Sequence, residues 1–154
     1  MAKEIEHKYL VADDSYKAMQ TSECRIEQGY LCREPERTVR VRVAGDRGFI
    51  TVKGITVGDV RDEFEYPVPV DDARAMLAMC VGAVVRKVRH YVPFVGNVWE
   101  VDEFIGLPEP LVVAEIELPS LGHSYELPPF VGRQVTDDPR YFNSNIMLMY
   151  ADNK

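Results

Sequence analysis

The sequence predicts a mainly β chain of the α+β class, folded as an antiparallel barrel or strongly curled sheet. Three observations carry this. Short strand-like segments recur from one end of the chain to the other, about eight in all. Two junctions between them, Gly45-Asp46 and Gly96-Asn97, are two-residue hairpin signals. Helical periodicity is confined to two or three short stretches, so the strands must close on one another rather than alternate with helices.

The elements follow in order. Lys3–Val11 is the first strand, and the Asp13-Asp14-Ser15 break leads into a short helix-compatible stretch ending near Glu23. Arg25–Arg33 is the second strand. Arg37–Ala44 and Arg47–Lys53 flank the first hairpin turn, and Asp59–Val70 ends in Pro67 and Pro69. Asp71-Asp72 then offers an N-cap to a helix Ala73–Val81, with Ala73, Met76, Leu77 and Cys80 on one face. Val84–Val95 and Val98–Phe104 form the second hairpin, followed by a strand Leu111–Pro119. Asp137-Asp138-Pro139 starts a C-terminal helix that packs through Phe142, Ile146 and Met149 or Tyr150.

The 154 residues suit one domain spanning 1–154, at about 150 residues per domain. With 46% hydrophobic residues the chain can build a real core, and it does not have a disordered composition. Its 18 basic residues against 25 acidic ones give a net charge of −7, which argues against general nucleic-acid binding. No apolar run reaches the roughly 18 residues of a membrane span. The opening Met1 to Glu6 carries no apolar leader core. Cys24, Cys32 and Cys80 are an odd number at spacings unlike a zinc ribbon. They read as buried or free thiols in a reducing cytoplasm.

Chemistry enters through strand parity, because alternate residues share a face. Glu4, Glu6 and Lys8 share one face of the first strand, opposite Ile5, His7 and Tyr9. Arg40 and Arg42 oppose Val39, Val41 and Val43, and Lys53 opposes Val52. Arg61, Glu63 and Glu65 oppose Phe64 and Tyr66, while Lys87 and Arg89 oppose Val88 and His90. Glu100 and Asp102 oppose Trp99 and Val101, and Glu115 and Glu117 oppose Ala114 and Ile116. For any single strand a solvated outer face is the simpler reading. Taken together, the charge faces hold almost nothing but Glu, Asp, Arg and Lys, and acidic and basic pairs sit on separate strands.

Closed with these faces inward, the sheet makes a charged tunnel whose apolar faces turn outward under the helices. Its lining is Glu4, Glu6, Glu63, Glu65, Asp102, Glu115 and Glu117 against Lys8, Arg40, Arg42, Lys53, Lys87 and Arg89. Buried charge on this scale is costly unless it is paired or holds ions. Carboxylates are the hard oxygen donors that Mg²⁺ and Mn²⁺ prefer, and Arg and Lys bind phosphate. Two divalent ions would leave the site at about +3, near balance with a polyphosphate of roughly −4 to −5. The pattern points to a metal-dependent site for a multiply charged phosphate compound.

These residues resemble the CYTH superfamily, the triphosphate tunnel metalloenzymes. Glu4-Ile5-Glu6-His7-Lys8 is similar to its E-x-E-x-K signature. Gln28-Gly29-Tyr30-Leu31, Arg40-Val41-Arg42, Thr51-Val52-Lys53-Gly54 and Arg61-Asp62-Glu63-Phe64-Glu65-Tyr66 follow. Lys87-Val88-Arg89, Trp99-Glu100-Val101-Asp102, Ala114-Glu115-Ile116-Glu117 and Val135-Thr136-Asp137 complete the order across essentially the whole chain. One departure is His7, where the family commonly has Arg; parity turns it out of the tunnel.

The resemblance implies an eight-stranded antiparallel closed β-barrel, the triphosphate tunnel, with a few covering helices. It implies Mg²⁺ or Mn²⁺, one or two ions, and a small-molecule triphosphate substrate, with no nucleic-acid or membrane partner. Carried over by position, Glu4, Glu6, Glu115 and Glu117 hold the first metal, and Asp102 joins the metal-side carboxylates. Glu63 and Glu65 serve a second metal or the attacking water. Arg40, Arg42, Lys53, Lys87 and Arg89 clamp the phosphates. Lys8 is either a charge partner or, with Tyr30, the group that orients and deprotonates water. Arg133 is a candidate to approach phosphate from one end.

Within the family the short branch implies hydrolysis of inorganic tripolyphosphate to pyrophosphate and phosphate. Adenylate cyclase, thiamine triphosphatase and RNA triphosphatase are the other enzyme readings, and a non-catalytic polyphosphate or nucleotide sensor is a reading of another class. Retention of both the Glu4/Glu6 and Glu115/Glu117 pairs argues against a sensor. A homodimer through an outer sheet edge or helix face is compatible with the sequence, but no residue specifies it.

Overall fold

The computed structural model describes residues 3–150; Met1 and Ala2, part of the opening read for a leader, lie outside them. Nine strands form one antiparallel sheet: β1 (Lys3–Val11), β2 (Ser22–Glu34), β3 (Arg37–Ala44), β4 (Arg47–Gly54), β5 (Val60–Val68), β6 (Val81–Phe94), β7 (Asn97–Ile105), β8 (Val112–Glu117) and β9 (Val131–Gln134). Their order is β5-β4-β3-β2-β6-β7-β8-β1-β9, and a further pairing of β1 with β5 closes eight of them into a barrel. Closure removes the exposed edges that so many strands would otherwise present.

The seam of the barrel is β1. One edge pairs with β8 over Glu6–Leu10. The other edge is divided, with β5 taking Lys3–Ile5 and β9 taking Tyr9 and Val11. Between them the backbone of Lys8 is satisfied by the Val135 N–H, which donates to its carbonyl at 2.8 Å, and by Thr136 Oγ1, which accepts from its N–H at 3.1 Å.

Several boundaries differ from the sequence expectation, each for a physical reason. Phe94 pairs with Asn97, so the second turn is Val95-Gly96, one residue earlier than Gly96-Asn97. Both turn residues take positive φ, 45° and 78°, as a turn matched to strand twist demands. The register overrode the side-chain preference and placed a β-branched residue there. Helix α2 (Val70–Leu77) begins before the Asp pair, with Pro69 at the N-cap; Asp71 and Asp72 lie in its first turn, where the helix dipole favours them. Helix α1 is only Tyr16–Met19, because Ser22 and Glu23 already pair with β6. The C-terminal helix is instead a 3-10 turn (Pro139–Tyr141), a short α3 (Asn143–Ile146) and a second 3-10 turn (Met147–Met149). Strand β9 was not expected, since four residues after two prolines carry too little alternation to read.

The alternation itself is realised as expected. Val41, Val43 and Ala73 form an outer core under α2, with Leu31, Met76 and Leu77 packed against it. A Cβ on Gly48 would lie 2.7 Å from that of Ala73, so only glycine lets α2 sit this close to β4. A second outer core gathers Tyr9, Tyr16, Val92, Trp99, Val101, Ala114, Ile116, Leu118 and Phe130, with Trp99 fully buried. Met79, just beyond the end of α2, is exposed.

Inside the barrel the inward face changes character along its length. One inward position beyond Lys8, Lys87, Asp102 and Glu115 stand Leu10, Val85, Phe104 and Val113. With Tyr30 they pack against Ile146, Met147 and Tyr150 of the C-terminal segment, whose Tyr150 hydroxyl donates to the Arg86 carbonyl at 3.1 Å. The charged lumen therefore has an apolar floor.

Candidate active site

Glu4, Glu6, Arg40, Arg42, Lys53, Glu63, Glu65, Arg89, Glu115 and Glu117 line one cavity of about 120 Å³. They arrive from six strands, because each strand turns its charged parity inward. Lys8 and Tyr30 line an adjoining chamber of about 280 Å³ at the seam, which shares Glu4, Glu6 and Lys53 with the first. Arg61 lines that chamber as well, its Nε donating to the Gly54 carbonyl at 3.2 Å. Lys87 and Asp102 lie behind the cavity wall with no solvent exposure.

Two of the cations are unusual. Arg40 donates from Nη2 to Thr51 Oγ1 at 3.3 Å, and among the described residues its buried Nε has no partner. Arg42 donates from Nε and Nη2 to Gln28 Oε1 at 2.9 and 2.7 Å. Among the described residues neither guanidinium has a carboxylate within 4.0 Å. Burial, reinforced by Arg40 and Arg89, pulls Arg42 down to about 9. Buried positive charge without a counter-ion is unstable unless an anion supplies one.

Elsewhere the cations are committed. Asp102 accepts from Arg89 Nε and Nη2 at 2.8 and 2.9 Å and from Lys87 Nζ at 2.6 Å. Burial alone would raise the Asp102 carboxyl, but these two cations hold it far below the usual carboxylate range. Sharing one carboxylate with Arg89 leaves Lys87 under-compensated, and burial draws its ammonium down to about 7. The Asp102 oxygens expected on the metal side are thus occupied by Arg89 and Lys87. Lys8 approaches Glu115 at 3.5 Å and donates to the Tyr141 carbonyl at 2.7 Å. Burial opposes ionisation of Glu115, yet Lys8, Arg89 and Lys87 bring it down to about 2.

The opposite wall has a surplus of carboxylates. Oxygens of Glu4, Glu63 and Glu117 lie within 4.8 Å of one another, a group that could hold a metal ion. Burial, then Glu115 and Glu4, holds the Glu6 carboxyl well above its usual range. Burial with Glu4, Glu63 and Glu100 pushes Glu117 up to about 7. Crowded carboxylates of this kind fit a hard divalent cation. Lys53 partly answers them, its Nζ 3.0 Å from both Glu4 oxygens and 3.3 Å from Glu63.

Three residues of the site were not among the site residues expected from sequence. Glu100 lines the cavity and meets Arg89 Nη1 at 3.3 Å; its parity with Asp102 was the available signal. Gln28 lies among the charges as a neutral partner of Arg42. Asn143 borders both cavities from the C-terminal segment, and no pattern on the strands points to it. Arg133 does not approach the cavity: it is exposed on β9 with its nearest carboxylate, Asp138, at 4.0 Å. His7 faces outward, with Nδ1 2.6 Å from the Tyr125 hydroxyl and Nε2 2.9 Å from Asp59.

A closed antiparallel barrel with unpaired buried guanidiniums facing clustered carboxylates defines a protein class whose lumen suits a polyanion beside a metal ion. The CYTH domain pattern matches residues 2–143, and the chain belongs to the CYTH family. It is 45% identical over 148 residues to an inorganic triphosphatase of Acetivibrio thermocellus, covering 96% of this chain and 94% of that one. An inorganic triphosphatase of Nitrosomonas europaea is 31% identical over 149 residues, covering 94% and 97%. The crystal structure of an inorganic triphosphatase superposes with a TM-score of 0.67 at 30% identity, covering 96% of each chain. The PH1819 protein from Pyrococcus horikoshii shares the fold at a TM-score of 0.62 and 18% identity, covering 97% and 98%. No helix among the described residues is long and apolar enough to cross a membrane.

Proposed function

We propose that this protein hydrolyses a triphosphate group, with inorganic tripolyphosphate cleaved to pyrophosphate and phosphate in the cytoplasm. The observation that carries the reading is the pair Arg40 and Arg42, buried and without a carboxylate, opposite the Glu4, Glu63 and Glu117 cluster. Both CYTH relatives named above are inorganic triphosphatases, which supports the same substrate.

In this mechanism Arg40 and Arg42 hold the phosphate oxygens, with Arg89 fixed beside them by Asp102. Glu4, Glu63 and Glu117, with Glu6, would hold Mg²⁺ or Mn²⁺; the ion supplies Lewis-acid polarisation of phosphate and neutralises its charge. Glu65 and Glu115 line the same cavity. A water oxygen bonds to a terminal phosphorus, the bridging P–O bond breaks, and the water's proton passes to a carboxylate of the acidic wall. Lys8 acts as a charge partner that brackets Glu115 and the Tyr141 carbonyl, since both contacts require it as a donor. Asp102 acts as the anchor of Arg89 and Lys87, in place of the metal-side role expected from sequence. Tyr30 bounds the seam chamber and orients water there.

Phosphate release from tripolyphosphate, ATP and thiamine triphosphate, each with Mg²⁺, Mn²⁺ or chelator, tests this directly. Fast metal-dependent release from tripolyphosphate alone is the expected result. Cyclic AMP from ATP would reassign the chain as a cyclase, and binding without turnover would make it a sensor.

A further inference from the structure

Arginine carries donors only, so the amide facing Arg42 must present its oxygen. This fixes Gln28 with Oε1 toward the guanidinium, accepting both Nε and Nη2 at 2.9 and 2.7 Å. The two residues are directly opposed in the β2–β3 register, so backbone pairing sets the contact. Gln28 is 1% exposed, and among the described residues its buried Nε2 has no partner. A buried arginine is ordinarily matched by a carboxylate, as Arg89 is by Asp102 in this lumen. Gln28 accepts both guanidinium donors through its single amide oxygen, where Asp102 uses two oxygens, and it leaves the guanidinium charge uncancelled.

We propose that Gln28 is a positioning and specificity residue for the polyanion: it orients the Arg42 fork while keeping its positive charge available to the substrate phosphates. This rests on the reading of Arg42 as a phosphate ligand. A glutamate of nearly the same shape at this position would complete a buried ion pair with Arg42 and strengthen the fold. The same pair would take that charge away from the substrate. Stability and substrate affinity are therefore expected to move in opposite directions, which a purely structural role for Gln28 would not produce.

The test compares wild type, Gln28→Glu and Gln28→Met by thermal melting without ligand, by the shift that inorganic tripolyphosphate causes with chelator present, and by KM and kcat with metal. For Gln28→Glu the melting temperature is expected to hold or rise, the tripolyphosphate shift to shrink, and KM to rise by about tenfold or more with a smaller change in kcat. Gln28→Met, which leaves Arg42 unoriented but still charged, is expected to melt lower and to raise KM less. A Gln28→Glu protein with wild-type KM and an undiminished shift would overturn the proposal. So would a KM that rises only in step with lost stability in both variants; Gln28→Met alone decides the case at wild-type KM if the Glu variant does not fold. Wild type with neither turnover nor a tripolyphosphate shift would instead refute the triphosphate reading itself.

Discussion

Individual charges in this lumen differ according to what each already touches. Asp102 is the acceptor for two fully or nearly buried cations, so Asp102→Asn would leave Lys87 and Arg89 without a buried counter-charge. Urea unfolding should show a loss of about 3–5 kcal/mol, the usual cost of breaking a buried pair from one side. Arg40 has no carboxylate to lose, so Arg40→Ala should barely lower stability and should act on substrate binding. Its KM for tripolyphosphate is expected to rise about tenfold or more, as for a lost charge-assisted hydrogen bond. Glu6→Gln or Glu117→Gln should abolish metal-dependent turnover while leaving the melting temperature equal or higher, because each relieves repulsion among neighbouring carboxylates. Normal metal-dependent turnover in Glu117→Gln would remove that residue from the metal site.

At the scale of elements, the barrel is made by hairpins whose registers outrank local preferences. Val95 shows it: pairing of Phe94 with Asn97 forces a β-branched residue to a φ of 45° at an exposed turn. Val95→Asn, which tolerates that conformation, should raise stability by about 1 kcal/mol without changing KM. Chemical unfolding together with a KM measurement checks both halves of the statement. The Gly48 contact carries the opposite sign, because any Cβ there meets Ala73 of α2 and must push the helix off β4. Much of this level was legible beforehand. The strands, the first hairpin and the outward Trp99 follow from alternation and turn chemistry. The turn at Val95-Gly96, the early start of α2 and strand β9 were not legible, because pairing partners far along the chain set them.

For the whole molecule, the acidic wall makes stability depend on pH in a definite direction. Burial and neighbouring carboxylates push Glu117 up to about 7 from its ordinary 4.5 and hold Glu6 well above the usual carboxylate range. At these two carboxylates the folded chain therefore binds more protons than the unfolded chain between these values, so their contribution to stability rises as pH falls toward 4.5. Lys87, drawn down to about 7, has the opposite dependence over the same interval, so the wall is read from a comparison: in chelator, the melting temperature of Glu117→Gln relative to wild type should rise from pH 6 to pH 8, with the effect muted by the solvent exposure of Glu117. Divalent metal should stabilise wild type more at pH 8 than at pH 6, because at pH 8 the carboxylates need not release protons to bind it. Melting curves of both proteins at both pH values, with and without Mg²⁺, measure this; a metal-free difference between them that does not grow toward pH 8 would contradict the crowding of the wall.

The alternation of charged and apolar residues determined by itself that the sheet has one highly charged face, and the ordered motifs determined the family. Both are properties of short segments, and strand periodicity assigns a face without knowledge of the partner strand. Only the tertiary structure decided which charges cancel. Asp102 opposes Arg89 directly in the β6–β7 register, whereas Gln28 opposes Arg42 in β2–β3. One arginine is neutralised and the other is left charged for this reason. The sequence also carried Leu10, Val85, Phe104 and Val113 in inward parity, but their meaning as an apolar floor required the C-terminal segment to fold back on them. Charge pairing and cavity shape depend on distances between residues remote in sequence, and those distances exist only once the barrel has closed.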